Sequence, residues 1–279
     1  MLLQPCAALL QFNTELGKRA INVHSHLNDH PTKQLIRKKA YVLFYETGIA
    51  ETSYTQIANA SGLGRPLIQH HFPQKRLFCL DLIEDMTALC IDQILDLSKT
   101  ENHDRTSQPY AQSLRALQLY LNLLCHDDSM RRLTIGILAD RNLSENVIDT
   151  NVQTAVPSLE RSFPVKRAKK MVPALEVCYG MLYRELADGK EPDCEKLTVE
   201  CVALYRVLAE NAHYRGTCKE LRSFLLNGDV VESMVLSVIA GLFGDLFQPS
   251  ILFNDRAVFI RSLHLPASIR LQPSREGTV

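Results

Sequence analysis

The chain has 279 residues, of which 46% are hydrophobic and 22% charged, and 31 basic side chains balance 31 acidic ones. This length holds one or two domains around a substantial core, and the even charge argues against a protein that coats nucleic acid indiscriminately. Gly and Pro are sparse at 12 each, as in an ordinary soluble globular protein.

Eight cysteines (Cys6, Cys79, Cys90, Cys125, Cys178, Cys194, Cys201 and Cys218) are scattered without a C-x-x-C pair. Most sit inside apolar helical patterns, so they read as reduced thiols acting as small core hydrophobes, with no metal site and no cofactor expected. No apolar run approaches the ~20 residues that span a bilayer. The start, Met1 to Leu10, has no charged leading segment and only a short apolar run, which argues against a signal peptide. A cytoplasmic protein without membrane partners is expected.

Residues 1–30 read as an N-terminal extension. Leu9, Leu10, Phe12 and Leu16 can share one face of a short helix, while His24, His26 and His30 have no metal-ligand spacing and read as polar linker. A helix then runs from an N-cap at Thr32 to Thr47, stopped by Gly48. Leu35, Ile36, Ala40, Leu43 and Phe44 fall on its apolar face, and Arg37, Lys38 and Lys39 project near its start. Between Thr32 and Phe78 the basic residues are Lys33, Arg37, Lys38, Lys39, Arg65, Lys75 and Arg76, against Glu46 and Glu51 alone. Such local asymmetry on a neutral chain fits one polyanion-facing end.

Residues 52–72 carry the densest pattern. Thr52 or Ser53 caps a short helix, Ser61-Gly62-Leu63-Gly64 makes a tight turn, and a second short helix spans Arg65 to His71 with Pro66 in its tolerant first turn. Ala58 is the small residue needed where the helices cross. Gly62 supplies the turn, and Ile57, Leu63 and Ile68 lock one helix over the other. Leu67, Gln69, His70 and His71 face outward, while Ile68 and Phe72 turn in.

These residues resemble the DNA-binding domain of the TetR/AcrR transcriptional regulators, whose run is approximately T-S-x-x-x-I-A-x-x-A-G-V-S-x-G-T-L-Y-x-H-F-x-S-K-E-x-L. The chain matches at Thr52, Ser53, Ile57, Ala58, Ala60 (one place early), Gly62, Phe72 and Lys75, and conservatively at Leu63 and Ile68. The preceding Ala40, Leu43, Phe44 and Gly48 also match the family's first helix. The departures cluster where the family touches DNA: its turn Ser is Gly64, its Gly is Pro66, its Thr is Leu67 and its phosphate-binding Tyr is Gln69. Two frequent backbone contacts are therefore altered.

Downstream, a long helix covers residues 74–98 with Phe78, Leu82, Met86, Leu89 and Ile94 on its apolar side. Residues 99–108 read as a loop. Pro109 opens another helix (Leu114, Leu117, Leu121, Leu124), and Asp127-Asp128-Ser129 caps the next, which runs to Asp140. Further helices are expected over 144–161, over 165–187 with a kink at Pro173, over 194–213 and over 230–247. The last is apolar all round and should be buried on every side. The tail beyond Pro249 ends in a polar stretch expected to be disordered.

The expected fold is all-α. A three-helix helix-turn-helix head (31–78) precedes a larger ligand-binding and dimerisation body (79–250), with extensions at 1–30 and 251–279. The resemblance implies a homodimeric regulator, most commonly a repressor, whose affinity for a palindromic double-stranded operator answers to a small-molecule effector. It further implies that the long helix links head to body, and that two late helices from each subunit form a four-helix bundle in which Ala240, Gly241 and Gly244 permit close crossing. Candidate DNA-facing residues are Thr52, Ser53, Thr55, Arg65, Leu67, Gln69, His70, His71, Lys75, Lys38 and Lys39, with Arg65 directed to guanine and Gln69 to adenine. Tyr120, Cys125, Cys178, Tyr179 and Tyr183 fall among the helices of the implied pocket but read first as core, so no ligand site is assigned. The alternative is an interaction protein that keeps this fold with lost or weakened DNA binding. Cys–His catalysis has neither the spacing nor a Gly-rich phosphate loop behind it, and no enzyme activity is expected.

Overall fold

The computed structural model describes residues 29–100, 111–155, 169–210 and 212–244. The expected N-terminal helix, the 99–108 loop beyond its first residues and the C-terminal tail lie outside them. Among the described residues the chain is all-α, with eleven α-helices and no strand. They are α1 (Pro31–Thr47), α2 (Tyr54–Ser61), α3 (Arg65–His71), α4 (Lys75–Thr100), α5 (Ala111–Cys125) and α6 (Asp128–Ala139). There follow α7 (Arg141–Thr150), α8 (Val172–Ala187), α9 (Cys194–Glu210), α10 (Tyr214–Arg222) and α11 (Gly228–Phe243).

The first three helices form the head, and α4 runs from it into the body, where it packs on α5, α7 and α11. Phe44, Phe72 and Phe78 are fully buried and meet at the head's centre. The Phe72 and Phe78 rings stack at 3.9 Å, and the Phe44 ring meets Phe78 edge-on at 6.2 Å. In the body, α5 lies between α4, α9 and α11 and buries nearly its whole surface.

Several local rules hold as the sequence suggests. Gly48 ends α1 at φ +93°, its N–H donating to the Phe44 carbonyl, and Asp127 caps α6 by accepting from the Met130 amide at 2.8 Å. Other boundaries differ. The N-cap of α1 is His30, whose ring nitrogen accepts from the Thr32 amide, because Pro31 takes the first helical position. Pro173 likewise sits in the first turn of α8 and starts that helix rather than kinking it; a short 3-10 turn, Lys169–Met171, precedes it. Asp140 caps α7 through the amides of Asn142 and Leu143, so that helix begins at Arg141 and ends in a π-helical turn, Asn151–Ala155.

The expected 194–213 helix stops at Glu210. His213 then caps α10, which the sequence pattern did not reveal. Nor is α11 buried all round. Val231, Met234, Val235, Val238, Ile239, Leu242 and Phe243 are buried, whereas Glu232, Ser237, Ala240 and Gly241 are exposed on the single chain. No described helix is long and apolar enough to cross a membrane.

Candidate nucleic-acid interface

The head's outward surface is built by two short helices, the first of which caps itself. Ser53 accepts from the Gln56 amide while the Gln56 side chain takes the Ser53 N–H at 2.7 Å, a reciprocal capping box that fixes where α2 starts. Gly62 ends α2 at φ +68°, a left-handed geometry that L side chains resist, and its N–H reaches the Ala58 and Asn59 carbonyls. Leu63 N–H also returns to Ala58. The chain therefore reverses within four residues and enters α3 at Arg65.

Ile57 and Ile68 are fully buried, Ala58 nearly so, and Leu63 packs against the same core, so the lock expected between the two helices is present. Tyr54 adds a clasp: its hydroxyl donates to the Phe72 carbonyl at 2.8 Å, joining the start of α2 to the end of α3. With Ile68 and Phe72 held inside, Arg65, Pro66, Leu67, Gln69 and His70 are exposed and His71 is half-buried. Leu67, at 39% exposed, is an apolar side chain presented outward. Arg65 and Gln69 lie one helical turn apart on the same side of α3. Thr55 and Ser53 are exposed on α2 and Lys38 on α1, while Lys39 is half-buried. No Asp or Glu occurs between Glu51 and Asp81.

Thr52 and Lys75 depart from the expectation that they face DNA. Thr52 is 2% exposed, and its hydroxyl donates to the Gly48 carbonyl at 2.8 Å. The Lys75 ammonium donates to the carbonyls of Ile49, Ala50 and Thr52 at 2.7, 3.3 and 3.1 Å. An ammonium has three donors, and all three are spent on the α1–α2 connector. Both residues thus build the frame from inside.

Arg37 also departs from its place in the basic cluster. It is 7% exposed and meets Asp29 at 2.8 Å, Asp81 at 3.5 Å and, through Nε, Asp85 at 3.6 Å. Tyr41, one turn on, donates to Asp85 at 2.8 Å. Burial opposes the Arg37 charge, but the phenol and carboxylates around it hold its proton more firmly than usual. Arg37 and Tyr41 take the inward face of α1 beside Ile36, Ala40 and Phe44, which leaves Leu35 40% exposed.

The head reaches the body by a second route besides α4. The Tyr45 hydroxyl donates to the Asp127 carboxylate, and the Tyr45 ring lies 4.7 Å from that of Phe243 on α11. The Tyr45 phenol is accordingly pushed well up, by burial and then by that carboxylate. Ile49 packs on Gly136 of α6. Of the residues named for an effector pocket, Tyr120, Cys178 and Tyr179 are fully enclosed in the body, and the Asn151 amide donates to the Tyr179 hydroxyl at 3.0 Å. Tyr183 is half-buried, and Cys125 lines a cleft described below. Among the described residues no group of three or more His, Cys, Asp or Glu side chains could hold a metal ion.

A capped turn, a locked pair of short helices and a bare outward face define a helix-turn-helix protein. Residues 36–78 match the model of the bacterial regulatory proteins, tetR family, which makes the head a TetR-type helix-turn-helix. Among solved structures the chain is similar to a tetR-family transcriptional regulator from Streptomyces coelicolor, at 20% identity over 77% of this chain and 96% of that one, with a TM-score of 0.40. No curated protein matches.

Proposed function

We propose that the protein is a TetR-like transcriptional regulator that binds a palindromic operator as a homodimer and releases it when a small-molecule effector binds the body. One observation carries this reading: the rigidly framed α2–α3 unit presents Arg65, Leu67, Gln69 and His70 outward from a stretch without a single carboxylate. An α-helix with that exposed set fits the major groove. Arg65 is proposed to read guanine and Gln69 adenine, with Leu67 against a thymine methyl and His70 and His71 beside them. Ser53, Thr55, Lys38 and Lys39 are placed at the phosphates. Thr52 and Lys75 act one step back, by holding the connector that sets the start of α2.

Two such heads about one helical turn apart require a roughly palindromic site. The exposed small residues of α11, Ser237, Ala240 and Gly241, support a close crossing with a second copy. An effector that favours the conformation with wrongly spaced heads by about 2.7 kcal/mol lowers operator affinity about a hundredfold. A cytoplasmic site of action follows from this role. Selection from random duplexes with the purified chain tests the reading: a palindromic consensus supports it, and Arg65→Ala then relaxes preference at one position. Uniform weakening on every sequence would remove the reading role of Arg65.

A second reading has its own observation. Thr52 and Lys75 face inward, and Gln69 and Pro66 stand where the family has Tyr and Gly, so the phosphate contacts on hand are few. On this reading the protein is a TetR-fold adaptor with lost or weakened DNA binding, and random-duplex selection enriches nothing.

A further inference from the structure

The last turns of α5, the start of α9 and the start of α11 converge on an open cleft of about 620 Å³. Its floor is made of buried side chains, among them Cys125, Cys194, Val231 and Val235. Its rim is acidic. Glu191, Asp193, Glu195, Asp229 and Glu232 line it against one guanidinium, Arg131, so five less one leaves an excess of four negative charges. Arg131 meets Glu191 at 3.2 Å, and Asp193 caps α9 by accepting from the Lys196 amide at 2.9 Å. Glu195, Asp229 and Glu232 are exposed, and among the described residues they have no cation within 4 Å. The frame holds these carboxylates in place. Buried Gln118 of α5 accepts from the Leu226 N–H at 2.8 Å and donates to the Leu226 carbonyl at 3.1 Å. Arg115 donates to the Phe224 carbonyl at 3.0 Å, so α5 grips the approach to α11 at two points.

The chain carries a counterpart of opposite charge. After Phe243, the last residue of α11, 36 residues follow (279 less 243), outside the described part beyond Gly244. From Arg256 to Arg275 their sequence holds Arg256, Arg261, Arg270 and Arg275 and not one Asp or Glu. The length suffices for a return. Asp229 precedes Phe243 by 14 positions, about 21 Å along α11 at the rise of an α-helix. The 13 positions from Phe243 to Arg256 span up to about 43 Å when extended. A guanidinium also suits this rim, because its planar fork meets carboxylates with two parallel hydrogen bonds and sheds water more readily than an ammonium.

We propose that the chain's own C-terminal segment, Arg256–Arg275, folds back into this cleft, with Arg256 and Arg261 set against the carboxylates of Glu195, Asp229 and Glu232. Docked there, it straps the starts of α9 and α11 to the end of α5. Single exposed ion pairs are weak, so several arginines acting together hold the strap. The first N–H groups of α9 and α11 have no partner within their own helices, and those without a cap lie beneath the docked segment. The docking goes beyond DNA binding and does not depend on it.

Amide hydrogen exchange of the full-length chain, read by mass on peptides covering 190–196 and 227–232, tests the docking. Reversing the charge of the segment with Arg256→Glu and Arg261→Glu should speed exchange in both stretches about fivefold and leave α7, away from the cleft, unchanged. Glu195→Arg with Glu232→Arg, made on the rim alone, should do the same. Combining all four substitutions swaps the charges and should restore the exchange of the parent, which a merely local disturbance of either helix would not. Equal exchange in the parent and the Arg256→Glu, Arg261→Glu protein would overturn the docking, as would a charge swap that restores nothing. Protection that fades on dilution would overturn it in favour of the segment of a second copy. Protection gained only on adding spermidine, and equally in parent and variant, would make the cleft a site for small cations instead.

Discussion

Lys75 and Lys38 carry the same charge and opposite assignments. Lys75 is spent on three carbonyls of the α1–α2 connector, whereas Lys38 is exposed. Replacing Lys75 with Ala should therefore lower head stability by about 1–2 kcal/mol in urea denaturation and leave the salt dependence of DNA binding nearly unchanged. Lys38→Ala should leave stability within about 0.5 kcal/mol and reduce the salt slope by about one. Arg37 is a stronger case. Arg37→Met removes the cation among Asp29, Asp81 and Asp85 and should cost about 2 kcal/mol, less than for a fully buried pair because the carboxylates keep some solvent contact. Acid acts on the same cluster. Burial raises the Asp29 carboxyl, but hydrogen bonds and charge from Lys33 and then Arg37 outweigh it and hold it below its ordinary 3.8. Its stabilisation is therefore present above the ordinary carboxylate range and lost as pH falls through the depressed value. Parent protein should lose more stability than Asp29→Asn between about pH 5 and about pH 2. None of this cluster was visible in the local sequence, where Arg37 reads as one more surface cation; its partners Asp81 and Asp85 come from a helix 44 and 48 positions on.

At the level of elements, the turn was the most legible part, because its rules are local. Gly62 and the helix cap act within four residues of themselves, so the sequence placed the turn and narrowed the cap to Thr52 or Ser53, while the choice of Ser53 and its reciprocal bond with Gln56 came from the structure. Gly62→Ala should cost about 1 kcal/mol from its left-handed backbone, and Ser53→Ala a similar amount from the lost cap, both read as shifted thermal midpoints. The helix α10 was illegible for the opposite reason. It buries only Thr217 and Leu221, carries Gly216 near its start, and so shows no apolar face in sequence. Pro173 misled because a proline inside an apolar pattern reads equally as kink or first turn, and only the switch from the 3-10 turn Lys169–Met171 to α-helix at Val172 decides. The Tyr45–Asp127 contact joins head to body across 82 positions. Tyr45→Phe removes the donor while Asp127 goes on capping α6. Faster amide exchange at the end of α1, with α6 unaffected, is the expected result.

For the whole molecule, the all-α architecture was written in periodicity and the long helix as a link from head to body came only with the family resemblance, whereas the face a helix leaves bare was in neither. The sequence of α11 is apolar enough to suggest complete burial, yet packing consumes only one side and leaves Ser237, Ala240 and Gly241 outward. A second copy seated there should make the protein a dimer in light scattering, and Ala240→Glu should yield monomers with weakened operator binding. Selection of duplexes from a random library by the full-length chain, followed by affinity measurements across salt concentration, tests the central claim most directly. The account expects a roughly palindromic consensus with half-sites about one helical turn apart and an affinity that falls steeply with salt. Recovery of no sequence above background, by a protein that is folded and dimeric, would contradict it.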